Sequence, residues 1–213
     1  MTRKGVFVVF EGIDGSGTST HVHTLEERIE ILDKYQDVLR THEPWRSDEI
    51  KRRLKEDSEI YSDGAEIARL FVDDRKGHTK NLILPNLELG VVVLDSRYKM
   101  STCAYQWAQG VSLTTLLEMH EHRGILTPDL TFFMDVPREV ARERIRSTRG
   151  EVEKFEKDPE FIDKLTLSYN ILIDMSEADL RLFGKVVRIN GNRDIREVAD
   201  EIYKEFLKVY KTA

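Results

Sequence analysis

Glu11-Gly-Ile-Asp-Gly-Ser-Gly-Thr-Ser-Thr20, entered through the apolar run Val6-Phe-Val-Val-Phe10, is the stretch on which the fold of this 213-residue chain turns. A buried strand gives way to a glycine-rich bend and then to a helix. The spacing fits the phosphate-loop template G-x-x-x-x-G-K-[ST], with its glycines at Gly12 and Gly17 and its hydroxyl at Ser19. Ile13, Asp14, Gly15 and Ser16 fill the loop, and Thr20 follows in the helix. Glycines let the backbone curl until successive N–H groups face one anion, and the helix N-terminus adds its dipole. Ser19 is placed to ligate the Mg²⁺ that accompanies ATP. Thr18 stands where the template has lysine. A neutral hydroxyl cannot follow charge onto a transferring phosphoryl group, and losing one such stabiliser costs about 3 kcal/mol of barrier. Positive charge must come from elsewhere.

Outward from the loop, apolar runs alternate with charged segments of helical period. Gly5–Glu11, Val38–Thr41, Gly90–Asp95, Leu130–Val136 and Lys185–Ile189 read as strands, several of them covered on both faces. Leu25–Leu32 and Leu113–His122 read as helices. Pro137 opens another from Arg138, and Asp194 is placed to cap the last. Such alternation predicts an α/β three-layer sandwich of the P-loop NTPase type, with a central parallel sheet of about five strands. No repeat or Pro/Gly-rich linker divides the chain, so residues 1–213 are expected to form one domain. The charged segment at about 138–158 is its one expected excursion.

Hydrophobic residues make up 40% and charged residues 34%, enough for a core under a charged surface. A net charge of -6 argues against general nucleic-acid binding and leaves small anions open. Cys103 is the only cysteine, which points to a reducing, cytoplasmic home. The apolar runs are too short to span a bilayer, so no membrane partner is expected. His21/His23 and His120/His122 are spaced i, i+2 and face different sides of a helix, which argues against a zinc site.

Further motifs follow in order: Thr41-His-Glu-Pro44, Leu70-Phe-Val-Asp-Asp-Arg-Lys-Gly-His78, Asp95-Ser-Arg-Tyr-Lys-Met-Ser-Thr-Cys-Ala-Tyr-Gln106 and Pro128-Asp-Leu-Thr-Phe-Phe-Met-Asp-Val-Pro137. With the loop, they resemble the thymidylate kinase family over about Val6–Gly150. That family pattern runs E-G-[IL]-[DE]-G-[SA]-G-K-[ST], R-E-P, L-F-x-A-D-R-x-x-H and D-R-[YHF]-x-x-S-x-x-A-Y-Q. The resemblance implies ATP and dTMP as substrates, Mg²⁺ as cofactor and a homodimer. It also implies that Phe71 stacks on thymine, Arg75 reads a base carbonyl and Arg97 grips the monophosphate. Tyr105 and Gln106 would pack on the deoxyribose and read the base, with Ser101 nearby. Asp14, His42 and Glu43 would fix the sugar, the acceptor phosphate and the metal's water shell.

Three departures touch this chemistry. Besides Thr18, His42 occupies the arginine position of R-E-P, so its charge depends on protonation. Ser96 separates Asp95 from Arg97 and takes the acidic position, while Asp95 remains a candidate metal ligand beside Ser19. Arginines at 138, 142, 144, 146 and 149 crowd the segment that the resemblance identifies as a lid over ATP. Arg142, Arg146 and Arg149 share one helical face and are the expected catalytic cations, with Arg144 on the nucleotide. Restoring lysine at position 18 is then expected to raise turnover. Two other readings stay open: a kinase for another nucleoside monophosphate, and a nucleotide-binding protein that has lost catalysis with its lysine.

Overall fold

The computed structural model describes residues 5–56, 63–149, 158–179 and 181–211. Five parallel strands form its sheet: β1 (Phe7–Glu11), β2 (Val38–His42), β3 (Val92–Ser96), β4 (Leu130–Asp135) and β5 (Lys185–Asn190). Their spatial order is β2-β3-β1-β4-β5, each neighbouring pair parallel. The three middle strands are the continuous Val/Leu/Phe runs, and β1 and β3 are buried throughout. β2 and β5, at the sheet edges, carry exposed polar residues between half-buried ones.

Side chains alternate across β1 and so seed two cores. Val8 and Phe10 join Val22, Leu25 and Ile29 of α1 (Thr18–Leu32) and Val198, Ile202 and Phe206 of the last helix on one face. Phe7 and Val9 face the other way, onto Ile83, Leu87 and Tyr98. The second face is extended by α5 (Lys99–Ala108), α6 (Leu113–His122) and α8 (Pro159–Ala178) around Tyr169 and Phe161. A short α2 (Asp48–Glu56) precedes α3 (Gly64–His78). That helix runs through a π-helical turn, Thr79–Ile83, into α4 (Leu84–Glu88). Asp158 caps α8 by accepting from the N–H groups of Glu160 and Phe161. Asp194 caps α9 (Ile195–Tyr210) by accepting from that of Arg196.

Helix α7 (Arg138–Arg149) begins the expected lid. Residues 150–157 of that segment, and the side chain of Arg149, lie outside the described residues. Sheet order reverses at β1 and β3, and in an open α/β sheet ligands collect beyond the carboxyl ends at such a point. The loop after β1, Arg97 after β3 and His42-Glu43 at the end of β2 all meet there.

Candidate active site

The glycine loop holds the conformation its sequence requires. Gly12, Gly15 and Gly17 have φ of 152°, 79° and 94°, values that side chains with a Cβ adopt at a cost. Gly15 is also steric: a Cβ there would lie 2.3 Å from the Ala141 carbonyl oxygen. The missing side chain is what lets α7 rest on the loop. A cavity of about 560 Å³ opens over it, bordered by Thr18, Ser19 and Thr20 of α1, by His42, Glu43, Ser96 and Arg97 at the carboxyl ends of β2 and β3, and by Arg144 of α7.

Arg97 leaves β3 with φ of 71°, a left-handed conformation that a non-glycine residue holds only when its surroundings impose it. Its N–H donates to Phe10 O at 2.8 Å. Its guanidinium donates to Gly12 O at 2.7 Å and to Ser101 Oγ at 3.3 Å. The second Nη pairs with Asp14, a residue of the loop itself. The ring of Tyr105 lies 5.5 Å below the guanidinium, close enough for a cation–π contact.

Glu11, fully buried at the end of β1, holds this turn in place. Its carboxylate accepts from the N–H groups of Tyr98 and Ser101 at 2.9 and 3.1 Å, and from Ser101 Oγ. Burial raises the pKa of that carboxyl. Tyr169 bridges the same serine, at 3.0 Å, to Gly12 O, at 3.3 Å. Ser101 therefore sits beneath the loop as a tie between Glu11, Tyr169 and Arg97, away from the cavity. Burial also pushes the Tyr169 hydroxyl up, which keeps it a neutral donor.

Arg75 is buried behind Glu43 and does not itself line the cavity. It forks onto Glu43, with Nε at 2.8 Å from Oε2 and Nη2 on the same oxygen. It also reaches Thr102 Oγ1 at 2.9 Å and His120 Nε2 at 2.7 Å. Nδ1 of His120 donates to Leu116 O at 2.7 Å, so Nε2 is the accepting nitrogen. Burial and Arg75 hold that ring well below the usual imidazole range. A guanidinium has five N–H groups, and four are taken here, leaving one Nη1 hydrogen for a ligand. Sequence reasoning did not find His120, which lies 45 residues from Arg75; its only signal was a polar ring on the buried face of α6.

Phe71, half-buried on α3, and Tyr105 and Gln106 on α5 lie outside the cavity lining. The two helices pack together, and Tyr105 reaches the cavity's edge through Arg97. Gln106 is buried and donates to Gln109 Oε1 at 3.1 Å.

Asp95 does not line the cavity, and both its oxygens are buried with neither hydrogen-bonded. It lies 3.8 Å from His78 Nδ1, which is 3.4 Å from Glu43. Burial and Glu43 raise its pKa well above the carboxylate range. These three residues form the one group among the described residues with the ligand types and closeness of a metal site. Glu43 is already committed to Arg75, and no residue of the group except Glu43 touches the cavity. Asp95 thus lies behind Glu43, which separates it from the cavity lining. Ser19 and Asp14 do border the cavity, and their oxygens suit Mg²⁺.

The lid arginines divide by helical face. Ala141 and Ile145 turn inward onto the loop, and Arg144 and Thr148 flank them at the cavity. Arg144 also donates to Gly191 O at 2.9 Å. Arg142 and Arg146 face outward; Arg142 borders a smaller hollow beside Asp14, and Arg146 borders neither. The inward face was legible as the apolar pair Ala141 and Ile145, whereas arginine spacing alone picked the outward one. Gly191 and Arg193, between β5 and α9, and Ile195, at the start of α9, also line the cavity and carried no motif.

A glycine loop at the switch point of a parallel sheet, under a helix that aims an arginine at it, defines a P-loop nucleotide-binding protein of the phosphotransferase kind. The thymidylate kinase family model matches residues 10–202. A probable thymidylate kinase of Pyrococcus horikoshii is 39% identical over 93% of this chain and 94% of its own length. One from Pyrococcus abyssi is 37% identical over 93% and 94%. A thymidylate kinase of Staphylococcus epidermidis is 30% identical over 96% and 98%. The chain belongs to the thymidylate kinase family.

Proposed function

We propose that this chain transfers the γ-phosphoryl group of ATP to dTMP, yielding ADP and dTDP. The observation that carries the reading is the shared cavity: the phosphate loop and Arg97, the expected anchors of donor and acceptor, border one space that Arg144 also borders. In-line phosphoryl transfer asks a protein for positioning and charge rather than covalent chemistry. Loop N–H groups and Arg144 would hold the ATP phosphates, and Ser19 and Asp14 would hold Mg²⁺ and its water, the metal supplying positive charge against the phosphates. Arg97 takes the dTMP phosphate, which competes with Asp14 for its guanidinium. Glu43 and His42 flank that phosphate. Phe71, Tyr105, Gln106 and the remaining Arg75 N–H take base and sugar, Tyr105 excluding a 2′-hydroxyl by its bulk.

Arg144 is the first source of the charge that Thr18 lacks, with Arg142, Arg146 and Arg149 contributing as the lid closes. The family resemblance further supports a homodimer, which sedimentation of the purified chain tests. A lone, buried Cys103 accords with cytoplasmic residence. No helix among the described residues is long and apolar enough to cross a membrane.

ADP release measured across dTMP, dUMP, UMP, dCMP and AMP tests the substrate. Turnover with dTMP should exceed the others. Preference for a different monophosphate would reassign the acceptor, and binding of ATP and dTMP without turnover would make this a nucleotide-binding protein.

A further inference from the structure

The departures at positions 18 and 96 meet in space. Ser96 Oγ donates to Thr18 Oγ1 at 3.2 Å across 78 residues of sequence, and both side chains are buried at the cavity wall. Ser96 is held from both sides: it pairs with Phe10 of β1 and His42 of β2, and its carbonyl accepts from Glu43 N at 3.2 Å. The central sheet therefore aims its hydroxyl. Thr18 opens α1 directly after Gly17, and its branched side chain has few χ1 choices.

A hydroxyl has one proton and two acceptor positions. With Ser96 donating to Thr18 Oγ1, the Thr18 proton is left over. Among the described residues no acceptor takes it, and Thr18 borders the cavity above the loop. We propose that Ser96 positions Thr18 as a fixed, neutral hydrogen-bond donor to an ATP phosphate oxygen, so that a serine–threonine pair does the work of the lysine and the acidic residue in the family pattern. The two replacements are one change: a cation and an anion are lost together, leaving the local charge balance unaltered. A lysine at position 18 alone would place an ammonium beside a hydroxyl instead of a carboxylate. Thr18→Lys then gives no gain unless Ser96→Asp accompanies it, in place of the gain expected from the sequence.

This inference rests on the kinase reading, and the variants Thr18→Val, Ser96→Ala, their double, and Thr18→Ser separate the two. Removing one oriented donor to a developing oxyanion lowers turnover by about a hundredfold. We expect that loss in kcat for Thr18→Val, with KM for ATP moved only a few-fold, and a smaller kcat loss for Ser96→Ala. The double should be no slower than Thr18→Val, and Thr18→Ser should stay near wild type. Multiplying losses, or full activity in Thr18→Val, would overturn the pair. Calorimetry with ATP alone reads it without turnover: both single variants should weaken binding by a similar small factor and the double no further. A multiplied loss there overturns the pair, whereas a wild-type chain that turns over no monophosphate overturns the kinase reading and leaves this arm to decide.

Discussion

Arg75 and His21 show how single side chains are held at the edge of what burial allows. Arg75 is 1% exposed and is the cation nearest Glu43 in a wall that also holds Asp95. A buried charge left without its partner costs about 3–5 kcal/mol. Arg75→Leu should therefore lower unfolding free energy by about that much, read from urea midpoints. Arg75→Lys should recover less than half, because one ammonium cannot fork onto Glu43 while reaching Thr102 and His120. A loss below about 1 kcal/mol for the leucine variant would mean that Glu43 is neutralised by another group. His21 sits below Gly17 at the cavity, and burial, with Arg144 and Arg28 nearby, lowers its pKa to about 4 from the usual 6.5. The unfolded chain therefore takes up the proton first on acidification. Stability owed to the neutral ring is complete above about pH 6.5 and is lost as pH falls toward 4. Thermal midpoints of wild type and His21→Gln should differ least at pH 4–5 and most above pH 7; a constant gap would contradict the lowered value.

At the scale of elements, the decisive contact is α7 on the phosphate loop. It exists because Gly15 has no Cβ where Ala141 O approaches to 2.3 Å of the added atom, and because Ala141 and Ile145 give α7 a buried face. Gly15→Ala adds the missing atom and also strains a φ of 79°. Helix α7 must then draw back, taking Arg144 away from the cavity. We expect turnover to drop by about tenfold or more, since a misplacement near 1 Å can cost that much. Amide exchange over 138–149 should quicken in step; slower turnover with unchanged exchange would confine the damage to the loop. The helix also ranks its arginines. Arg144→Ala should weaken ATP and slow turnover far more than Arg146→Ala, whose side chain points to solvent. Equal losses would mean that the closed lid turns its outward face inward.

Over the whole molecule, the parts legible in the sequence were those set by local pattern. The three middle strands could be read because buried parallel strands are continuous Val, Leu and Phe runs, the edge strands from their shorter apolar cores, and the loop because its glycines answer a backbone need. Other features depend on the chain meeting itself. Thr18 and Ser96 are 78 residues apart, Arg97 reaches back to Asp14 across 83, and Gly191 closes the cavity from the far strand. Helical spacing showed that arginines share a face without showing which face turns inward. These long-range ties all converge on the carboxyl edge of one sheet, so ligand binding should be felt by the full fold. Unfolding should be a single transition, as expected for the one domain read from the sequence. Saturating ATP to about a hundredfold above its Kd should add about 2.7 kcal/mol, a rise of roughly 5–10 °C for a chain of this size. Adding dTMP should raise the same transition again. Differential scanning calorimetry decides the matter: a second transition that ignores both ligands would show that part of the chain folds apart from the site.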